Sequence, residues 1–169
     1  MKIELFTDGA CRGNGVLDNP LSAIGIVLLM EDKIPIFMKE KLTFKPNTNN
    51  KAEIYAIIRG LDLIEDHYEL TDGFAKDELF IYSDSAYTIN GITSWINSWR
   101  ENGWVNSKKE PVKNQDLWQF LDKRLDYFRK FFDIEFIKVK GHSDNKWNNK
   151  CDQLANEAMD EEAHWKGEI

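Results

Sequence analysis

A chain of 169 residues with 42% hydrophobic and 12% aromatic content is long enough to bury a core and too apolar for wholesale disorder. Its formal net charge of −7 argues against a general attraction to polyphosphates. Its longest apolar runs, such as AIGIVLLM, fall far short of a membrane span, and two cysteines with three histidines complete no zinc motif.

The N-terminus alternates polar and apolar residues without a long apolar stretch, so neither a secretion signal nor a transit peptide is expected, and a cytoplasmic address follows. Cys11 and Cys151 fit a reduced compartment with no structural disulfide. Residues 2–7 predict a strand, SAIGIVLLM a buried one, and IPIFMKEKLTF a third in which Pro35 marks an edge or a strand start. From Ala52 the period changes: Ile54, Ile57, Ile58, Leu61 and Ile64 predict an amphipathic helix running to about Tyr68. ELFIYS is a short strand ending at Asp84. Ile92, Trp95, Ile96 and Trp99 then repeat at helical spacing, as do Leu117, Phe120, Leu121, Leu125 and Phe128. DIEFIKVK is a last strand, followed by a loop, GHSDNKWNN, and a helix over KCDQLANEAMDEEAHW. The order βββ-α-β-α-α-β-α predicts an α/β fold with a mixed sheet and helices on its faces. Ligands of such sheets sit near the carboxyl ends of the strands.

Four acids fall at strand ends or helix starts, and each has an ordinary explanation. Asp8 and Gly9 in TDGACRGNG read as an Asp-Gly turn in which Gly9 takes a positive φ. Glu53, three residues after Asn50, reads as the acid of a capping box with Asn50 as N-cap. Asp84 reads as a cap of the next helix or an acid favouring its N-terminus, and Asp152 as an acid in the first turn of the last helix. The other explanation is joint. Carboxylates meeting at one sheet edge repel one another unless cations neutralise them, and hard oxygen ligands favour magnesium or manganese. Two such ions about 3.5–4 Å apart can clamp the attacking and leaving oxygens of a phosphoryl displacement. One segment offsets the overall acidity: Thr93 to Asn114 sets Arg100, Lys108, Lys109 and Lys113 against Glu101 and Glu110, with Trp95, Trp99 and Trp104 among them. Such a mixture either grips a nucleic-acid backbone or is a solvated face over a tryptophan core.

These residues resemble the type 1 ribonuclease H family. TDGACRGN, TNNKAEIYAII, YSDSAY, GITSWINSWRENGW, KKEPVKNQDLW and VKGHSDNKWNNKCDQLANEA match its blocks in order, from Phe6 to about Ala158. The resemblance implies a ribonuclease H-like α/β fold: a five-stranded mixed sheet, its first three strands antiparallel, flanked by helices. It implies a single catalytic domain over 1–160, a basic protrusion at about 93–114 and an acidic tail at 161–169. It also implies an endonuclease that hydrolyses the RNA strand of RNA–DNA hybrids, leaving 5′-phosphate and 3′-hydroxyl ends. Two magnesium ions would serve it, with manganese as a substitute.

By matching position, Asp8 bridges both ions, Asp152 completes the ion that activates water, and Glu53 and Asp84 hold the ion on the leaving-group side. His142 assists product release or proton handling. Asn14, Asn49 and Asn50 resemble contacts to the substrate minor groove, where amides can reach 2′-hydroxyls, and Thr48 resembles a phosphate contact on the DNA side. Trp99, Trp104, Lys108, Lys109 and Asn114 resemble the protrusion's contacts to the DNA strand. A monomer without an obligate protein partner, a membrane or a separate N-terminal hybrid-binding domain is implied.

The chain departs from the pattern at Ala86, where many relatives carry glutamine, and in a longer first hairpin, GVLDNPLSAIG. A mildly basic protrusion on an acidic protein predicts weaker, more salt-sensitive affinity than that of a basic relative. An integrase-like enzyme of the same broad fold would need the acids but not the VKGH block or the protrusion. A catalytically silent hybrid-binding module would be expected to lack one of the acids.

Overall fold

The computed structural model describes residues 1–71, 75–141 and 144–165, the last four of these by their backbone. Five strands, β1 (Lys2–Arg12), β2 (Leu21–Met30), β3 (Ile36–Lys41), β4 (Asp77–Ser83) and β5 (Phe132–Lys138), form one sheet in the order β3-β2-β1-β4-β5. The first three pair antiparallel, and β4 runs parallel to both β1 and β5. This is the expected mixed sheet. β3 lies at an edge, directly after Pro35, whose missing N–H excludes it from an interior ladder.

The helices are α1 (Asn49–His67), α2 (Ala86–Asn90), α3 (Ile96–Glu101), α4 (Gln115–Phe128) and α5 (Lys146–Trp165), with a π-helical turn, Gly91–Trp95, joining α2 to α3. Alternation along β1 separates the two faces of the sheet. Ile3 and Leu5 join the main core with Ile54, Ile57 and Leu61 of α1, while Phe6 packs with Val27, Cys151 and Leu154 on the α5 side. Fully burying each such aliphatic or aromatic side chain contributes about 1.5–3 kcal/mol. Among the described residues no helix is long and apolar enough to cross a membrane.

Several local expectations are corrected. Asp8 and Gly9 do not form a turn. β1 continues through them to Arg12, with Asp8 opposite Gly25 and Gly9 opposite Ile24, because β2 offers an unbroken ladder; the chain turns at Gly13 and Gly15, where φ is +82° and +76°. Asn50 is not the N-cap of α1. That place belongs to Thr48, whose hydroxyl accepts from Lys51 N–H at 3.1 Å, so Glu53 is released from any capping box. Ser85, not Asp84, caps α2 by accepting from Thr88 N–H. The last helix begins at Lys146 rather than Lys150, because Asn145 Oδ1 accepts from Asn148 N–H at 2.9 Å. Asp152 is therefore the seventh residue of α5, beyond the reach of a helix-terminus effect.

Candidate active site

β1 pairs with β4 only as far as Phe6 opposite Tyr82, so from Thr7 onward one side of the central strand is open. Asp8 lies in that opening. It follows Phe6 by two residues and stands on the α5 side of the pleat, only 5% exposed. Glu53, in the second turn of α1, enters from the other face: its Oε1 accepts from Gly9 N–H at 2.9 Å and its Oε2 from Ser83 Oγ at 3.4 Å. Asp84 follows the last residue of β4. One carboxylate oxygen from each of Asp8, Glu53 and Asp84 lies within 4.8 Å of the others.

Two glycines permit this convergence. A Cβ on Gly9 would stand 2.6 Å from Glu53 N, so its absence lets the start of α1 close onto β1. A Cβ on Gly25 would overlap the Cys151 carbonyl, so its absence lets α5 close onto β2 opposite Asp8. Asp152, next to Cys151, thus lines the same cleft of about 330 Å³ as the other three acids, although it is not part of the tight group of three.

Burial, reinforced by the charges of Glu53 and Asp84, raises the Asp8 carboxyl well above the usual range. Burial and then Asp84 raise Glu53 in the same way, against the opposing hydrogen bond from Gly9. Arg12 is the one lysine or arginine among the described residues that lines the cleft, and its guanidinium is engaged by Asp160 and Asn156. Buried oxygens that repel one another and lack a close protein cation form a donor set suited to a hard divalent ion.

Around the cleft, Asn14 Oδ1 accepts from Asn49 N–H at 3.0 Å, which ties the β1–β2 hairpin to the start of α1, and Asn49 lines the cleft itself. Asn50 is half-buried one residue further along α1. Thr48 serves as the helix cap, one residue after Asn47. Asn47 anchors the same loop. It is buried, with its amide donating to Pro20 and Leu42 carbonyls at 3.0 and 3.1 Å and its oxygen accepting from Phe44 N–H at 2.8 Å. It sets the approach of the loop to Thr48, and its signal was an asparagine beside proline in a turn. Arg12, Asn148 and Asn156 in the cleft wall were not among the expected site residues. His142 lies outside the described residues; its neighbour Gly141 passes beside Asp84 Oδ2.

The tryptophan-rich segment forms a separate surface. The Trp99 ring lies 6.0 Å from those of Trp95 and Trp104 and 5.6 Å from that of Trp118, and Trp99 and Trp104 are half-buried against the core. Trp95 remains 38% exposed although it packs on Tyr87, whereas Ile96 is buried. Lys108, Lys109 and Lys113 are exposed, but Arg100 pairs with Asp122 and Asp126, so its charge is already answered within the fold. Asn114 takes a left-handed conformation before α4 and donates to Tyr87 Oη at 3.3 Å. The tryptophans of this segment pack and its lysines face solvent, the arrangement of a solvated face over a tryptophan core.

Fold and site together define an α/β protein whose acid cluster, gathered where β1 runs on past β4, suits a divalent metal. The chain belongs to the RNase H family, whose profile matches residues 1–160. With membership goes the family's activity, endonucleolytic hydrolysis of the RNA strand of RNA–DNA hybrids. A ribonuclease H of Clostridium botulinum is 46% identical over 162 residues, covering 95% of this chain and 97% of the relative. Two solved structures share the fold. LC9-RNase H1, described as a type 1 RNase H with the type 2 active-site motif, superposes with a TM-score of 0.73 at 20% identity, over 95% of this chain and 72% of that one. LC11-RNase H1 in complex with an RNA/DNA hybrid gives 0.62 at 24% identity, over 95% of this chain and 98% of that one.

Proposed function

We propose that Asp8, Glu53, Asp84 and Asp152 hold two magnesium ions, replaceable by manganese, and that the cleft they line is where the RNA strand of a hybrid is cut to 5′-phosphate and 3′-hydroxyl ends. The observation that carries this reading is the meeting of Asp8, Glu53 and Asp84 within 4.8 Å, two of them buried, a set of oxygens whose mutual repulsion a divalent cation would relieve. The ions supply Lewis acidity, easing deprotonation of the attacking water and stabilising charge on the leaving oxygen.

The protein's own part is orientation. Asp8 would be a ligand common to both ions, placed by the central strand between α1 and α5. Glu53 is held by Gly9 N–H and Ser83 Oγ, and with Asp84 it serves the leaving-group side. Asp152 serves the side of the attacking water. Asn14, Asn49 and Asn50 present amides to the 2′-hydroxyls and base edges of the minor groove, which distinguishes RNA from DNA. Thr48 takes a phosphate of the DNA strand, and Trp99, Trp104, Lys108, Lys109 and Asn114 extend that grip over a protrusion spanning about 93–114. His142 handles a proton or product release. Residues 1–160 act as one catalytic domain, a monomer of the cytoplasm, and the acidic stretch that follows begins as a continuation of α5, which runs to Trp165.

The deciding experiment is cleavage of an end-labelled RNA–DNA hybrid beside single-stranded RNA, duplex RNA and duplex DNA, with magnesium, manganese or EDTA. Metal-dependent cutting confined to the RNA of the hybrid is expected. A folded protein that cuts nothing with either ion would leave a binding module whose acids serve no chemistry.

A further inference from the structure

Asp152 is held differently from the other three acids, by a chain of contacts that starts on β1. Arg12, the last residue of β1, donates from Nη1 to Asp160 Oδ1 at 2.7 Å and from Nη2 to Asn156 Oδ1 at 3.1 Å and the Asn156 carbonyl at 3.5 Å. Asn156 in turn donates from Nδ2 to Asp152 Oδ1 at 3.3 Å and to the Asp152 carbonyl at 2.9 Å. The amide has one workable orientation here. A guanidinium only donates and a carboxylate only accepts, so the Asn156 oxygen must face Arg12 and its nitrogen must face Asp152.

We propose that Arg12 and Asn156 are positioning residues for Asp152: the arginine fork fixes the asparagine amide, and the amide holds the Asp152 carboxylate turned into the cleft. This rests on the reading of Asp152 as a metal ligand. Asp152 needs such a device because it stands alone on α5, outside the group of three whose oxygens already meet. Asp160, one helical turn beyond Asn156, holds the other limb of the fork. The Arg12 and Asp160 side chains are 41% and 66% exposed, so their ion pair adds little to stability and the chain's effect is on orientation. Lysine would keep the charge at position 12 but not the two directed bonds.

The test is calorimetric titration of manganese into the intact protein and its Asp152→Asn, Asn156→Ala, Arg12→Leu and Arg12→Lys variants. It is paired with the magnesium concentration giving half-maximal cleavage and with hybrid affinity in EDTA. Asn156→Ala and Arg12→Leu are expected to weaken manganese binding about tenfold, the usual scale for a lost partner of a metal ligand. Arg12→Lys should not restore it, and the double variant should be no worse than Asn156→Ala alone, because both act through one carboxylate. The magnesium requirement should rise in parallel while hybrid affinity stays unchanged. Unaltered manganese binding in Asn156→Ala and Arg12→Leu, with Asp152→Asn weakened, would overturn the positioning role alone. Unaltered binding in Asp152→Asn would overturn the ligand assignment and the positioning role with it. Lost hybrid affinity at normal manganese affinity in Arg12→Leu would make Arg12 a substrate contact instead.

Discussion

A carboxylate packed against two others obeys a different pH law from one in water, and Asp8 and Glu53 are in that position. Their unperturbed values are 3.8 and 4.5, and the fold raises both, first by burial and then by neighbouring charge. The unfolded chain therefore releases these protons first, and the metal-free protein loses their contribution to stability as pH rises from about 4 through neutrality. Asp8→Asn should relieve this. In EDTA its Tm should exceed that of the parent by about 2–4 °C for each kcal/mol of repulsion removed, and the gap should widen from pH 5 to pH 8. Thermal melts across that range check it, and manganese should raise the parent's Tm far more than the variant's. Asp84→Asn is expected to keep the fold and hybrid binding while lowering turnover by at least about 10²-fold. Circular dichroism, hybrid titration and single-turnover cleavage would separate those three properties.

At the scale of elements, the site depends on how closely two helices approach one sheet. Gly25 has no side chain where the Cys151 carbonyl arrives, and Gly9 has none where α1 begins. Gly25→Ala should lower stability by about 1–3 kcal/mol through overpacking and should also weaken metal binding, because the same shift carries Asp152 away from Asp8. Urea denaturation and manganese titration would report both effects. The helices themselves were legible from their apolar spacing, since Ile54, Ile57 and Leu61 of α1 and Leu121, Leu125 and Phe128 of α4 are all buried. Their starting points were less so. Several cap-forming residues stand side by side in Asn47 to Asn50, and only the anchoring of Asn47 to Pro20 and Leu42 leaves Thr48 at the extended position where a cap must lie.

At the scale of the molecule, a net charge of −7 leaves the grip on a polyanion to local features. If Lys108 and Lys109 contact phosphates, replacing each by alanine should weaken hybrid affinity and reduce the slope of log affinity against log salt by about 1, with the cleavage rate at saturation unchanged. Fluorescence anisotropy over a salt series measures that slope. Equal slopes in parent and variants would mean that the lysines only solubilise the protrusion. The chain order of the elements and a mixed sheet were legible in the sequence, because periodicity is a local property of a chain, while its five-stranded form came with the family resemblance. What only the tertiary structure decided is which local reading each acid obeys. Asp8 proved to be a strand residue rather than a turn, Glu53 a buried acid rather than a cap, and Asp152 a mid-helix acid tied to Asn156. The reason is that β1 outruns β4 at Phe6, and the opening this leaves is filled by side chains from elements far away in sequence.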